Sequence, residues 1–271
     1  MKRFPSWLRS LLFPLGLIIG YECVVRALTV LGWNSAKFIV LPPPSQIITQ
    51  LFNLLLDTTI LSAILYTAVT TILGFSLGLL GAIIVGTIIG FSRGMEIYFA
   101  PTLLFLRSLP IILYVPLAIV LLGSDISLPI ALAAFITTLY GMLPVSKAVR
   151  EYDEEKLIFL RSRGLASPNI ILQFILPEII TALATTISIT ITLALAVTIA
   201  SEMLLEGLQG LGSLLNRARE NSQYSSLWAY TCLLGAMGFS LHYLVWKTLY
   251  FAAPWVKSSL KEVESHRNEW H

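Results

Sequence analysis

Charge is scarce in this sequence. Charged residues make up 12% of the 271 residues and hydrophobic residues make up 56%, whereas a soluble domain carries about 25% charged residues. This balance excludes an ordinary soluble domain and indicates a membrane protein. The net charge is only +3, and basic residues are not interleaved with aromatic ones in a patch, so we expect no nucleic-acid partner.

Several chemical motifs are also missing. The two cysteines, Cys23 and Cys232, both lie in apolar segments, so neither a disulfide framework nor a metal site is expected. The sequence offers no Ser/His/Asp arrangement and no paired carboxylates, so we predict no catalytic residues. It also contains no GxxxxGK(S/T) phosphate loop, so this chain cannot cradle ATP itself, and any ATP energy must come from another chain.

What the sequence does contain is apolar runs long enough to cross a membrane. They cover roughly residues 11–31, 61–91, 101–123, 127–148, 178–201 and 227–251. The first run follows Lys2 and Arg3 as a signal peptide would, but it is long enough to span and lacks a cleavage site, so we expect a retained span. Pro110 and Pro116 predict that the third span is kinked or broken. The predicted fold is an all-α membrane protein with about six transmembrane helices.

Lysine and arginine residues set the orientation. With the N-terminus inside, most of them face the cytoplasm, which predicts that both termini are cytoplasmic. Two external segments result. Residues 34–61 contain LPPPS, and here Ser45 is predicted to cap a short amphipathic helix that ends at Leu55. Residues 202–226 contain EGLQGLG, whose glycines permit a tight turn before a second short helix at 213–221.

The longest charged interruption covers residues 150–177, which read REYDEEKLIFLRSRGLASPNIILQFILP. Glu154 and Glu155 lie where the first turn of a helix favours negative charge, and Gly164 is placed to end that helix. Ser167 can cap a second helix, and Pro177 opens the next apolar run. A rigid cytoplasmic elbow of this kind, between spans four and five, indicates a docking surface for a partner.

At this elbow the chain resembles the permease subunits of bacterial ABC importers that depend on a binding protein. Their shared signature is EAA, three residues, Gly, nine residues, Ile, any residue and Leu-Pro. This sequence keeps Gly164, Leu176 and Pro177 at that spacing and has Phe174 in place of the Ile. It departs most at the EAA triplet, which is replaced by Ile158, Phe159 and Leu160.

Three further motifs resemble one branch of that family. In chain order they are LPPPSQII, LRSLPIILYVPLAIVLLG and SEMLLEGLQGLGSLLNRAR. The branch is the one that imports nitrate, sulfonate, taurine, bicarbonate and thiamine precursors, and the resemblance covers about residues 41–255. It implies a type I ABC importer permease fold in the bacterial plasma (inner) membrane. On this basis we divide the chain into an N-terminal span with its external segment at 1–60, a permease core at 61–255 and a cytoplasmic tail at 256–271.

The resemblance also implies partners. Cytoplasmic ATP-binding subunits would carry the ATP and Mg, and an external substrate-binding protein would deliver a small solute. A second permease chain, expected to be identical, would share the pathway, with membrane lipid around the pair. The elbow would dock on the ATPase through Glu154, Glu155, Ile158, Phe159, Leu160, Gly164, Ser167, Leu176 and Pro177. Two options stay open for the missing triplet: Glu154 and Glu155 replace its acidic contact, or the apolar triplet packs against a matched ATPase.

Polar residues within the spans are candidates for the translocation pathway. Four hydroxyl side chains share one face of the fifth span: Thr181, Thr185, Ser188 and Thr192. They either line a polar path for a small ion or bond back to the helix and to its neighbours. Arg107 either offsets the charge of an anionic solute or snorkels at the inner boundary. Glu202 either belongs to an outer gate or caps the surface.

Two other groups within the spans have structural interpretations. Glu22 and Arg26, one helical turn apart in the first span, favour a mutually neutralising pair. Four glycines in the second span form two small-xxx-small pairs that predict close helix packing: Gly74, Gly78, Gly86 and Gly90.

The preferred function is therefore the permease subunit of an ATP-driven importer for a small solute, with an anion favoured. We expect low affinity in the pathway and selection mainly in the binding protein. The alternative is a six-span channel or secondary transporter that needs no ATPase. It predicts ion sites at mid-membrane and an internal repeat, and no such repeat is visible in the sequence.

Overall fold

The computed structural model describes residues 6–30, 41–125, 127–150, 162–163, 175–205 and 207–256. Within these residues every regular element is helical, as the sequence predicts. The helices are α1 Ser6–Val30, α2 Pro44–Leu55, α3 Thr58–Phe91, α4 Arg93–Ser108, α5 Tyr114–Leu122, α6 Leu128–Arg150, α7 Leu176–Leu204, α8 Leu211–Glu220 and α9 Tyr224–Ala252. A short 3-10 helix, Ile111–Leu113, lies between α4 and α5.

A long helix or a bent helix pair lies at each of the six predicted spans. Among the described residues, α3 and α6 are each long and apolar enough to cross a membrane, and counting the bent pair α4–α5 and the bent α7 raises this number to four. At the first and last predicted spans the structure has single helices, α1 with 25 residues and α9 with 29. The length and composition of the helices thus support four spans directly, and the count of six stays a prediction.

α3 is one continuous helix of 34 residues, about 51 Å long at 1.5 Å per residue. It starts at Asp57, whose carboxylate Oδ1 accepts hydrogen bonds from Thr59 N at 2.9 Å and Thr59 Oγ1 at 2.7 Å. Both hydrogen bonds lower the pKa of Asp57, and the bond from the Thr59 hydroxyl has the larger effect. The cap fixes the start of α3, because it satisfies an N–H group that has no partner within the helix.

α3 and α6 pack along the glycine face of α3. A methyl group added at Gly78 would lie 2.4 Å from Thr137 Cβ, and one added at Gly86 would lie 2.6 Å from Met142 O. A methyl group added at Gly74 would lie 2.5 Å from Ala133 Cβ, and one added at Gly90 would lie 2.8 Å from Val149 Cβ, both on α6. The predicted role of these glycines in helix packing is therefore confirmed. Because these glycines have no side chains, the two backbones approach closely. The van der Waals packing that results is a main source of attraction between helices in lipid.

The third predicted span is broken, and it begins earlier than predicted. Its first helix starts at Arg93, not near residue 101, and it runs through Pro101 without ending. The break comes at Leu109 and Pro110, after which residues 111–122 continue at 93° to residues 97–108. Tyr114 and Tyr140 hold the break, because their hydroxyls donate hydrogen bonds to the carbonyls of Leu106 and Arg107. These carbonyls lie in the last turn of α4, where the regular helical bonding ends, and the Leu106 carbonyl also accepts a hydrogen bond from Leu109 N at 3.3 Å.

α1 is attached to α2 by the predicted ion pair of the first span. Arg26 Nε lies 2.6 Å from Glu22 Oε1, and Glu22 also accepts hydrogen bonds from Ser45 N at 3.1 Å and Ser45 Oγ at 2.8 Å. The prediction that Ser45 caps α2 is therefore wrong. The cap position is Pro43 without a side-chain hydrogen bond, and the Ser45 hydroxyl is directed to α1 instead.

Candidate functional site

Glu202 lies in the last turn of α7 and is only 1% exposed. Glutamate is almost never buried this fully unless its carboxylate is paired or hydrogen-bonded, because removing the charge from water is costly. The sequence-based alternative that Glu202 caps the surface is therefore wrong. Its surroundings in the structure show what holds the carboxylate in the interior.

Three elements meet at the carboxylate. Glu202 Oε2 accepts hydrogen bonds from Thr67 Oγ1 of α3 and from Gly212 N of α8, both at 2.9 Å. Thr67 Oγ1 in turn accepts a hydrogen bond from Leu211 N at 2.9 Å. We call this arrangement of Glu202, Thr67, Leu211 and Gly212 the Glu202 clasp. It joins α3, α7 and the start of α8 through buried polar contacts.

The clasp also acts as the N-terminal cap of α8. The first N–H groups of a helix have no acceptor within the helix, and here Leu211 and Gly212 give theirs to Thr67 and Glu202. The carboxylate lies at the positive end of the α8 dipole, where negative charge is favoured. Ser213 adds a further tie, because its hydroxyl donates to the backbone carbonyl of Glu202 at 2.9 Å.

Glycines make room for the carboxylate. A methyl group added at Gly210 would lie between 2.1 and 2.2 Å from the carboxylate atoms of Glu202, and one added at Gly212 would lie 2.6 Å from Ile199 O. The glycines of the EGLQGLG motif thus leave space for the Glu202 carboxylate, a role that the sequence alone did not reveal. They allow the chain to turn back from α7 and to lay the start of α8 directly against the buried carboxylate.

Thr67 was not among the residues singled out from the sequence. It is 135 residues away from Glu202 along the chain, and a threonine inside an apolar run is more often bonded to its own helix. A usable signal was its position, since Thr67 lies seven residues before Gly74 and therefore on the same packed face of α3. Thr71, one turn further on, bonds back to Thr67 O at 2.7 Å.

Two cavities adjoin α8. The larger, with a volume of about 550 Å³, lies beside the clasp and is lined by Glu202, Ser213, Arg217 and Glu220 among others. The smaller, of about 460 Å³, lies between α7, α8 and Ile112 at the break of the third span. Asn216 and Arg219 line both cavities. These shared residues connect the α8 end of the bundle with the broken span.

Arg107 lies at the end of α4, next to the break. Its guanidinium carbon lies 4.6 Å from the centre of the Tyr140 ring, a cation–π contact. The side chain is half-buried, and the contact holds it against α6. Its predicted role beside an anionic solute stays a prediction.

The hydroxyl stripe of α7 is partly described. Thr181 Oγ1 donates to Pro177 O at 2.9 Å, which agrees with the structural alternative, and Thr192 is exposed. Three hydroxyls outside the stripe are buried and bond back within α7: Thr190, Thr198 and Ser201. The side chains of Thr185 and Ser188 lie outside the described part, so the role of the stripe in the pathway stays a prediction.

The predicted docking elbow lies largely outside the described residues. This applies to Glu154, Glu155, Ile158, Phe159, Leu160, Gly164 and Ser167. The last two residues of the signature are described: Leu176 is the first residue of α7, and Pro177 is in its first turn, where its missing N–H costs nothing. The elbow therefore leads directly into the helix that carries the Glu202 clasp at its other end.

A bundle of long apolar helices, with a broken span next to two cavities at one end, defines a class: the multi-pass helical membrane protein. The family model of the inner membrane component of binding-protein-dependent transport systems matches residues 78–245. This match covers more than half of the chain, and the chain belongs to that family. It is a permease subunit of the type I ABC importer family, as the sequence resemblance implies.

Relatives from several bacteria agree with this assignment. The chain is 25% identical over 230 residues to an ABC transporter permease protein of Brucella melitensis, covering 84% of this chain and 93% of the relative. It is 27% identical over 244 residues to SsuC of Bacillus subtilis, a permease named for aliphatic sulfonate transport, covering 88% and 83%. It is 23% identical over 260 residues to CmpB of Synechococcus elongatus, a bicarbonate transport permease, covering 91% of each.

A solved structure shows the same fold. An inward-facing structure of the MetNI methionine ABC transporter contains a chain that superposes with a TM-score of 0.53 at 17% identity, covering 73% of this chain and 94% of that chain. The predicted fold class is therefore confirmed. The family assignment also favours the importer over the alternative of a channel or carrier without an ATPase.

Proposed function

We propose that this permease forms, with a second and identical permease chain, the pathway for a small anion that an external binding protein delivers. Cytoplasmic ATP-binding subunits, which hold ATP and Mg, would drive the transport. The observation that carries this proposal is the family match over residues 78–245. We also propose that the chain lies in the inner membrane of a bacterium, with both termini in the cytoplasm.

The anionic class of the solute is supported by two relatives, one named for aliphatic sulfonate transport and one for bicarbonate transport. These two solutes share a small size and a negatively charged oxygen headgroup. They differ in that an aliphatic sulfonate carries an apolar tail and bicarbonate does not. The relatives therefore support a headgroup chemistry for the solute and leave its tail open.

The proposed route of energy is the elbow at 150–177. Movement of the ATPase subunits would act on the elbow and, through Leu176 and Pro177, on the inner end of α7. α7 runs from Leu176 to Leu204 with a bend of 62°, so it connects the elbow to the Glu202 clasp, and a displacement of its inner end would reach the clasp through both halves of the helix.

The first experiment is purification of the tagged chain from its native membrane, with mass spectrometry of the proteins that accompany it. An ATPase with a phosphate loop, present in equal number to the permease chains, supports the proposal, and copies of this chain carrying a second tag should co-purify. If the chain purifies alone and moves solute in vesicles without ATP, the proposal is wrong and the channel or carrier is correct.

Coupling is tested at Gly164. We expect Gly164→Glu to abolish transport and the stimulation of ATPase activity by the binding protein, while the amount of chain in the membrane is unchanged. Gly164→Ala is the matched control, since it adds a small side chain without charge, and it should retain most of both activities. Normal transport by Gly164→Glu would contradict docking at the elbow.

A further inference from the structure

The smaller cavity beside α8 has an uneven lining. Its volume is about 460 Å³, and most of its wall is apolar: Ile112 at the break of the third span and five residues of α7 between Ala196 and Leu204. The polar part of the lining comes from two residues of α8, Asn216 and Arg219. We call this cavity the outer chamber. A cavity with apolar walls and a few polar groups at one place is the usual form of a small-molecule site.

Arg219 provides positive charge to the outer chamber. It lies in the last turn of α8, and within the described residues no carboxylate forms an ion pair with it. The nearby acidic residues Glu202 and Glu220 line the larger cavity but not the outer chamber. The Asn216 amide holds Glu220 there, because its Nδ2 donates to Glu220 Oε1 at 2.9 Å.

This charge distribution selects for negative ligands with an apolar part. A guanidinium group offers several N–H donors in a plane, a geometry that matches the oxygens of a carboxylate or a sulfonate. The apolar walls offer contact to an alkyl chain but no hydrogen bonds to a fully hydrated inorganic ion. The Glu220 carboxylate, hydrogen-bonded to Asn216, lines the larger cavity, so among the described residues Arg219 is the charged residue in the lining of the outer chamber.

We propose that the outer chamber is a solute-binding station of this permease, which takes an organic anion with a short apolar tail. Arg219 and Asn216 hold the oxygen headgroup, and the tail lies along the α7 wall between Ala196 and Met203. The inference rests on the proposed function, because it makes the station part of the transport pathway. It adds a specificity-determining residue, Arg219, to a pathway that the sequence predicts to be unselective.

The position of the station fits a passage through the molecule. The outer chamber contacts Ile112 at the break of the third span, and its α7 wall includes Met203, the residue next to Glu202. A change at the clasp or at the break therefore alters the shape of the chamber. The solute would leave the station when these elements move, without any change in the charge of Arg219.

The test measures binding to the whole complex, purified through a tag on this chain and placed in lipid nanodiscs. The probes are butanesulfonate, bicarbonate and butylammonium, titrated calorimetrically without ATP. We expect butanesulfonate to bind at least about tenfold more tightly than bicarbonate, and butylammonium not to bind. We expect Arg219→Gln to weaken butanesulfonate binding by about tenfold or more, as the loss of a charge-assisted hydrogen bond implies.

Arg217→Gln is the matched control. Arg217 is also an exposed arginine of α8, but it lines only the larger cavity, so its replacement should change butanesulfonate binding by less than about twofold. Equal losses in both variants would show a general effect of surface charge and would overturn the proposal. Both arginines are exposed, so the variants should fold, and size-exclusion chromatography checks this.

The apolar wall is tested separately by Ala196→Leu, which fills part of the outer chamber. We expect this variant to bind methanesulfonate as the unchanged complex does but to lose its preference for butanesulfonate. No butanesulfonate binding to the unchanged complex, or equal binding of bicarbonate, would also overturn the station. If the complex contains the ATPase and its transport does not depend on Arg219, the station is wrong and the proposed function stands. If the chain purifies without an ATPase, the proposed function itself is wrong.

Discussion

At the scale of single residues, Glu202 shows how a carboxylate is kept inside a membrane protein. Donors from two other helices, Thr67 and Gly212, bond one of its oxygens, Oε2, while the buried Oε1 has no hydrogen-bond partner among the described residues. Hydrogen bonds to a charged group contribute more than neutral ones, about 1.5–3 kcal/mol each. Removing the Thr67 hydroxyl therefore takes one donor from the carboxylate and also leaves the N–H group of Leu211 without an acceptor.

We expect Thr67→Val to destabilise the protein by about 1–3 kcal/mol, because valine keeps the shape of threonine but removes the hydroxyl. The measurement is thermal unfolding of the purified chain in detergent. Thr71→Val is the matched control, since the Thr71 hydroxyl bonds only to the carbonyl of Thr67 in its own helix, and its loss should cost little. Equal effects of the two substitutions would show that the clasp contributes no special stability.

Gly210 tests the fit of the turn against the carboxylate. Gly210→Ala would place a methyl group within 2.2 Å of the Glu202 carboxylate, so either the clasp opens or the turn moves, at a cost of about 1–3 kcal/mol. The same thermal assay applies. Gly235→Ala on α9 meets nothing within 4 Å, so this control should be neutral or slightly stabilising. A neutral Gly210→Ala would contradict the tight seat described for the carboxylate.

At the scale of elements, the contact between α3 and α6 is the most extensive helix–helix contact among the described residues. It depends on Gly78 and Gly86, which have no side chain and therefore lie directly against the backbone oxygens of Ala134 and Met142. Helices in lipid gain little from burying apolar side chains, so close backbone packing decides their association. The contact therefore tolerates almost no added volume on this face, while the opposite face of α3 carries exposed apolar residues such as Leu73 and Leu77.

We expect Gly78→Ala to separate α3 from α6 locally and to lower the melting temperature by several degrees. The added Cβ would lie 2.6 Å from the backbone oxygen of Ala134, and a backbone atom cannot move aside as a side chain can. Gly20→Ala in α1 has nothing within 4 Å and serves as the control. Unfolding temperatures that agree within about 1 °C would argue against a packed seam, since one kcal/mol shifts Tm by about 2–4 °C at this size.

At the scale of the whole molecule, the order of the helices fixes which loops share a side of the membrane. α3 is about 51 Å long, so its two ends, near Leu56 and Gly94, lie on opposite sides. Gln223, at the start of α9, lies on the same side as Leu56, because Gln50 Nε2 of α2 donates to Ser226 Oγ of α9 at 3.2 Å. This arrangement agrees with the orientation that lysine and arginine predict.

Labelling of single cysteines tests this arrangement. In a background with Cys23→Ala and Cys232→Ala, we expect Leu56→Cys and Gln223→Cys to react with a membrane-impermeant maleimide added to intact cells. Gly94→Cys should react only after the cells are opened. Labelling of Gly94→Cys from outside would reverse the predicted orientation, and labelling of Leu56→Cys and Gln223→Cys from different sides would contradict the fold itself.

Several features of the fold and site were accessible from the sequence because they depend on local composition. The six apolar runs predict where long helices lie, and Pro110 predicts the break because it cannot donate a backbone hydrogen bond. The glycine face of α3 follows from a spacing of four residues on one helix. The partnership of Glu22 and Arg26 follows from the same rule, since i and i+4 side chains are neighbours on any helix.

The tertiary structure decided the rest. Neither the pairing of Glu202 with Thr67, 135 residues apart, nor the bend of 93° at the break could be read from the sequence. Both depend on how distant helices are rotated and placed against one another. Composition and spacing determine which face of a helix is apolar or small. Only packing of the whole bundle decides which polar group on one helix meets which group on another, and so where the Glu202 clasp and the outer chamber form.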